Sequence, residues 1–200
     1  MPRRALNTIS LLFAAVLVLW GTHYASADPK PQKSPLLENV RFSLSNTREP
    51  GVKKYVLEAD IHGTRNQVCS VVCNYYRYNT FMPKEVRSKV IRQVGKQFVL
   101  QVVVNLPWPF RDLESILLVE VNKDKGTAHW KRIGGNVKKN EGRFEIEERG
   151  DISHLKQVTY LDIGRYYPDW FIRIYTRTLT YRIMRAIRDE MAVQLSLSTS

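Results

Sequence analysis

Cys69 and Cys73, four residues apart, are the first side chains in this chain that could do covalent chemistry. On a helix their Cα atoms would stand about 6 Å apart with nearly parallel Cβ vectors, near the upper edge of what a disulfide spans. The reading favoured is two small buried residues on the sheet-facing side of a helix, the usual place for cysteine. No histidine or second cysteine pair lies near enough in sequence to complete a four-ligand zinc site. His62, His129 and His154 fall in or at the ends of strands and share no motif, and His23 lies in the N-terminal segment. There is no Gly-x-Ser-x-Gly, no His-Glu-x-x-His and no Gly-rich phosphate loop. The expectation is no catalytic set, no metal and no cofactor.

What remains is polar and aromatic. Arg111 and Asp112 follow a Pro-Trp-Pro-Phe corner at 107–110. They read as a pair at the rim of a cavity, or as a loop ion pair fixing that corner. Tyr76, Phe81, Trp130, Phe144, Tyr160, Phe171, Tyr175 and Leu179 are the candidates to line an apolar cavity with a few hydroxyls. The competing reading is a solid aromatic core. For Tyr160 the strand parity is open, because Thr159, Leu161 and Ile163 form a rival inward face.

These side chains need elements to hold them. Val40–Leu44 and Tyr55–Ile61 alternate apolar and polar around the turn Glu49-Pro50-Gly51. The period then changes: Cys69, Val72, Cys73 and Tyr76 share a helical face, with Thr64 as N-cap. Pro83 ends any helix there. Hairpins follow: 86–94 with 97–104 about Gly95, 113–121 with 127–133 about Lys123–Gly126, and 142–148 with 157–164 about Gly150-Asp151. From Pro168 to Met191 runs one long amphipathic helix. Phe171, Ile172, Tyr175, Leu179, Ile183 and Ala186 lie on one side, with Arg173, Arg177, Arg185 and Arg188 on or near the other. Short-linked strands with helices between early strands and at the end predict an α+β domain with an antiparallel sheet.

The N-terminus reads as an export signal: Arg3 and Arg4, an apolar stretch Ile9–Trp20, and a small-x-small site at Ala25-Ser26-Ala27. The expected divisions are a signal peptide at 1–27, a flexible Pro/Lys-rich leader at 28–37, one domain at 38–192 and a frayed Ser/Thr-rich tail at 193–200. The mature chain, 200 minus 27 residues, is long enough to bury a real core. Losing Arg3 and Arg4 lowers the net charge from +12 to +10. The charge is spread over Lys53-Lys54, Lys131-Arg132, Lys138-Lys139 and the helix arginines. In an exported chain that charge suits an anionic membrane surface or plain solubility, and no nucleic acid is expected as partner.

The order of short motifs carries a resemblance. Tyr-x-x-Tyr-x-x-Phe-Met-Pro (75–83), Ser-x-Val (88–90), Pro-Trp-Pro-Phe-Arg-Asp (107–112), Asn-Glu-Gly-Arg-Phe-Glu-Ile-Glu (140–147), Val-Thr-Tyr (158–160) and the final helix follow one another over residues 50–191. This resembles the polyketide cyclase/dehydrase and coenzyme Q-binding group of the START-related (SRPBCC) superfamily. The resemblance implies a helix-grip fold: a curved antiparallel sheet wrapped around the C-terminal helix with an apolar cavity between. It implies lipids, quinones, sterols or polyketides as ligands. The expectation is an exported, periplasmic or secreted binder of a hydrophobic small molecule. The alternatives are a cyclase or dehydratase acting on a polyketide-like substrate, and a basic interaction module with a filled core.

Overall fold

Alternation along the strands sets which side chains meet. In β7 (Lys139–Arg149) Phe144 and Ile146 are buried while Arg143, Glu145 and Glu147 are exposed. The same two-residue period runs through β1 (Leu37–Asn46), β2 (Lys53–His62), β3 (Val86–Val94), β4 (Gln97–Val104), β5 (Leu113–Asn122), β6 (Thr127–Gly134) and β8 (Ile152–Asp162). The computed structural model describes residues 36–164 and 166–198. The expected signal peptide and leader residues 28–35 lie outside the described residues, and Leu37 of the expected leader already opens β1.

Among the described residues the strands form one eight-stranded sheet, in the order β1-β2-β8-β7-β6-β5-β4-β3. Every neighbouring pair is antiparallel. β1 and β3 remain edges, so the sheet curves without closing. Irregularities at Glu38/Arg41, Val90/Arg92 and Ile116/Leu117 supply local bends.

Between β2 and β3 lies α1 (Arg65–Val72), started by the expected cap. Thr64 Oγ1 accepts from the Gln67 amide (3.3 Å), and Gln67 Oε1 accepts from the Thr64 amide (2.8 Å), a closed capping box. Glu148 from β7 takes the orphan amide of Arg65 at 2.8 Å. A 3₁₀ turn (Tyr75–Arg77) and one turn of helix, α2 (Tyr78–Phe81), follow. Met82 turns extended before Pro83, which ends the helix as expected.

The expectation of two separate thiols is corrected: Cys69 and Cys73 form a disulfide, with Cα atoms 4.9 Å apart. Cys73 is the C-cap of α1, at φ −92° and ψ 2°. Leaving the helix there frees its Cβ from the parallel direction that regular geometry would impose. Both residues remain buried.

The closing helix, α3 (Asp169–Ser198), lies against the concave face. Phe171 and Ile172 are buried, as are Met184, Ile187 and Met191 nearer its C-terminus. Tyr175, Leu179, Ile183 and Ala186 are only half-buried. The expected stripe therefore drifts toward Met184 and Met191, because only the C-terminal half meets a solid core. The segment expected to fray from residue 193 continues as helix to Ser198. It is tied by Ser70 Oγ to Gln194 Oε1 (2.7 Å) and by Gln194 Nε2 to Glu190 Oε1 (3.0 Å). The architecture is a helix-grip: one curved antiparallel sheet around one long terminal helix.

Candidate functional site

Six adjacent strands show the same burial gradient on their inward faces. On β2, Ile61, Ala59 and Leu57 are buried, then Tyr55 and Lys53 are half-exposed. On β8, Ser153 and Leu155 give way to Gln157, Thr159 and Leu161. On β7, Ile146 and Phe144 give way to Gly142 and Asn140; on β6, Ala128 gives way to Trp130 and Arg132. On β4, Phe98 and Leu100 give way to Val102 and Val104, and on β5 the buried run ends at Ser115, before half-buried Leu113. One end of the grip is thus filled, with the disulfide of α1 and Met184, Ile187 and Met191 of α3 in the same core. The other end, under the N-terminal half of α3, is open to solvent while facing inward.

A pocket of about 340 Å³ opens there, bounded by Tyr55 and Lys53 of β2, Leu161 of β8, and Asp169 and Ile172 of α3. That volume falls within the range of small-ligand sites. Lys53 Nζ closes one corner, donating to Asp169 Oδ1 at 2.8 Å and to Asn46 Oδ1 at 3.0 Å. The Lys53 bond and charge hold the Asp169 carboxyl below its ordinary value. A second depression of about 400 Å³, beside Phe81, Arg182, Arg185 and Asp189, lies on the flank of α3 with a charged rim, away from the concave face. The inward pocket is the better ligand site, because apolar floor and converging polar groups occur together there.

Beyond the residues that line this pocket, the inward faces of the strands carry a few polar groups. The Trp130 indole N–H donates to Asn140 Oδ1 at 3.1 Å, and Asn140 Nδ2 donates to buried Ser115 Oγ at 3.1 Å. The Tyr55 phenol is raised in pKa by burial, against a bond to Thr176 of α3 that lowers it. Gln157 Nε2 donates to Thr159 Oγ1 at 3.1 Å. Arg132 gives Nη2 to the Gly135 carbonyl at 2.8 Å, while its buried Nε has no acceptor.

An aromatic cluster borders this end. Phe110 of the Pro107–Phe110 corner lies 4.1 Å from Phe171 and 5.5 Å from Tyr167, ring centre to ring centre, and Phe171 stacks on Tyr175 at 5.4 Å. The Tyr175 hydroxyl donates to the Asn105 carbonyl at 2.6 Å, and the Tyr167 hydroxyl to the Arg111 carbonyl at 3.2 Å. The corner is thereby fastened to the start of α3, with half-buried Leu179 one turn beyond Tyr175.

The expected cavity residues separate. Trp130, Phe171, Tyr175 and Leu179 sit at the open end. Phe144 is inward but deep in the filled end. Tyr76 is corrected: it is 62% exposed, with its hydroxyl on Gln93 Oε1 at 2.9 Å, because the chain leaves α1 before it and enters a 3₁₀ turn. Phe81 packs its ring on Tyr78 (5.7 Å) and borders the outer depression. Tyr160 is corrected by parity: it pairs with Lys54 and Glu141 on the convex face, so Thr159 and Leu161 point inward.

Arg111 and Asp112 are both exposed and form no ion pair with each other. Asp112 instead accepts from the Leu106 amide at 3.1 Å and faces Arg87 Nη2 at 3.8 Å, which fixes the loop. His154 bonds Asp60 at 2.7 Å across the outer β2–β8 pair. Burial works to raise the Asp60 carboxyl, but the bonds from His154 and Asn39 hold it below its ordinary value. Sequence reasoning placed Arg132 with Lys131 on a basic surface. Alternation from Ala128 through Trp130 was the available signal that Arg132 faces inward.

No protein-family model matches the chain, and no curated protein matches it in sequence. Its shape does match solved structures. The Zhui aromatase/cyclase from Streptomyces sp. R1128 aligns at TM-score 0.60 and 8% identity, over 72% of this chain and 96% of that one. A STAR-related lipid transfer protein from Xanthomonas axonopodis aligns at TM-score 0.57 and 13% identity, over 76% and 98%. A START superfamily protein from Mycobacterium smegmatis aligns at TM-score 0.58 and 14% identity, over 70% and 98%. At these identities the likeness establishes the fold, which is START-like.

Proposed function

We propose that this chain is an exported binding protein for a hydrophobic small molecule, a lipid, isoprenoid or quinone, which it sequesters or transfers in the cell envelope. The observation that carries this reading is the inward burial gradient on six strands. A domain built only for stability would fill that space, since each large apolar side chain fully buried contributes roughly 1.5–3 kcal/mol. Here the space under the first half of α3 is left for something else. A hydrophobe entering it would displace water from Leu161, Ile163 and Ile172, which line the pocket, gaining about 25 cal/mol per Å² before ordering costs.

Two further features support the setting. A buried disulfide suits an oxidising compartment, which agrees with the N-terminal signal pattern. On the outward face of α3, Trp170 (57% exposed) and Ile174 (62% exposed) lie one turn apart, with exposed Arg173 and Arg177 beside them. Tryptophan with basic neighbours suits an anionic membrane interface. Docking there would bring the open end of the grip to the lipid from which the ligand is collected. The lipid transfer protein among the structural neighbours offers a precedent for that activity on this fold.

The test is to fill the space. Thr159 points inward between Tyr55 and Gly142. Thr159→Phe is expected to abolish uptake of a fluorescent fatty-acyl or isoprenoid probe while leaving the melting temperature equal or higher. Unchanged uptake in a folded Thr159→Phe protein would contradict the site.

A further inference from the structure

Arg132 is an arginine on the wrong face for a plain basic surface. It follows Ala128 and Trp130 on the inward side of β6 and pairs with buried Leu117 of β5. It is half-buried, and its Nε is enclosed without an acceptor. One of its donors is used, on the Gly135 carbonyl at 2.8 Å. Among the described residues no carboxylate lies within ion-pair distance of it. A half-buried guanidinium with an enclosed, unpartnered Nε and no counter-charge carries a desolvation cost that an incoming anion would offset.

The neighbours fit the same partner. The β6–β7 pairing ends at Lys131↔Glu141, so the next inward positions on the two strands are Arg132 and Asn140. Asn140 accepts from Trp130 and donates one amide hydrogen to Ser115, which leaves its second hydrogen free. Ser115 accepts from Asn140 and so keeps its own hydroxyl hydrogen to give. The set, with Ser115 buried and Arg132 and Asn140 half-buried, thus offers donors and a fixed positive charge, with no negative group among them. Around it lie Trp130, Leu117 and Val102, which are apolar.

We propose that Arg132, supported by Asn140 and Ser115, is an oxyanion subsite inside the grip, and that the ligand is an acidic amphiphile. Its carboxylate or phosphate head sits on Arg132, and its apolar tail runs along the half-buried floor beneath α3. This rests on the reading of the open end as a ligand site and names the ligand's chemistry. Arginine suits such a head better than lysine, because its planar donor fork matches a carboxylate or phosphate edge.

The test compares ligands of one tail and different heads by calorimetry: oleate, oleoyl lysophosphatidate, oleyl alcohol and inorganic phosphate. Charged hydrogen bonds of this kind predict that at least one of the two acidic lipids binds about tenfold or more tightly than the alcohol. Inorganic phosphate alone should bind far more weakly than either lipid. Arg132→Gln should bring the acids down to the alcohol's affinity while leaving the alcohol unchanged, and Arg132→Lys should keep part of the preference. Equal affinity for acids and alcohol in the wild-type protein would overturn the proposal without recourse to any variant. So would a preference that survives Arg132→Gln, or phosphate binding as tight as the lipids. Failure of every lipid, the alcohol included, would remove the ligand-site reading itself; alcohol binding without preference would remove only the oxyanion subsite.

Discussion

Trp130 stands opposite Gly142 across the β6–β7 pair, and a Cβ on Gly142 would lie 2.5 Å from its indole ring. The same atom would collide with the Val158 carbonyl oxygen. Glycine is therefore the residue that lets the indole lie flat along the floor of the open end, with its N–H turned to Asn140. Gly142→Ala is expected to destabilise the fold by about 1–3 kcal/mol through overpacking and to shift the tryptophan emission. Urea denaturation followed by fluorescence checks both. A neutral substitution with unchanged emission would show that Trp130 does not occupy this position.

The disulfide gives a second expectation. It closes a very short loop, so its effect on the unfolded chain is small, and about 2 kcal/mol is expected from its loss. Its further contribution is to hold the end of α1 against the filled core. Denaturation with and without reductant measures this, and alkylation of the unreduced, unfolded protein should label neither Cys69 nor Cys73. Two freely alkylated thiols would contradict the pairing.

Much of this arrangement was legible beforehand. Period-two alternation located β3 and β4 to the residue, and Thr64 as N-cap marked the start of α1. The inward position of Phe144 and Ile146, against outward Arg143, Glu145 and Glu147, also followed from the strand pattern. Other features depend on where the chain bends. Tyr76 shares a helical face with Cys69 and Cys73 only if the helix continues, and it stops at Val72. Tyr160 and Thr159 compete for the inside, and only the register with β2 and β7 decides between them. Arg132 was hidden by its neighbour Lys131, since two adjacent basic residues suggest a surface until the strand sends them to opposite faces.

The corner of the pocket should respond to pH. Lys53 holds the Asp169 carboxyl below its usual range, so this pair stabilises the fold above the unfolded-state carboxyl pKa. Its contribution is lost as pH falls through the lower folded-state value. Wild-type stability should therefore decline with acid more steeply than that of Asp169→Asn, which lacks the linkage at every pH. Asp169→Asn should also exchange ligand faster at neutral pH, because the start of α3 is no longer tied to β2. Parallel acid profiles for the two proteins would contradict the latch.

The outward stripe of α3 should matter for membranes and not for ligand affinity in solution. Replacing both Trp170 and Ile174 by serine removes apolar area sufficient to weaken binding to anionic vesicles by about tenfold or more. Binding of a soluble ligand should be unchanged. Vesicle co-sedimentation at low and moderate salt measures the first, and calorimetry the second. Full vesicle binding by the double variant would place membrane contact elsewhere.

The central claim is that the open end of the grip holds a hydrophobic molecule. Native mass spectrometry of the protein isolated from its own cells, with organic extraction of what accompanies it, tests this most directly. The account predicts a one-to-one complex with a small hydrophobe of defined mass, released when the protein unfolds. Protein that is empty on isolation, and that takes up no lipid from anionic vesicles afterwards, would contradict it.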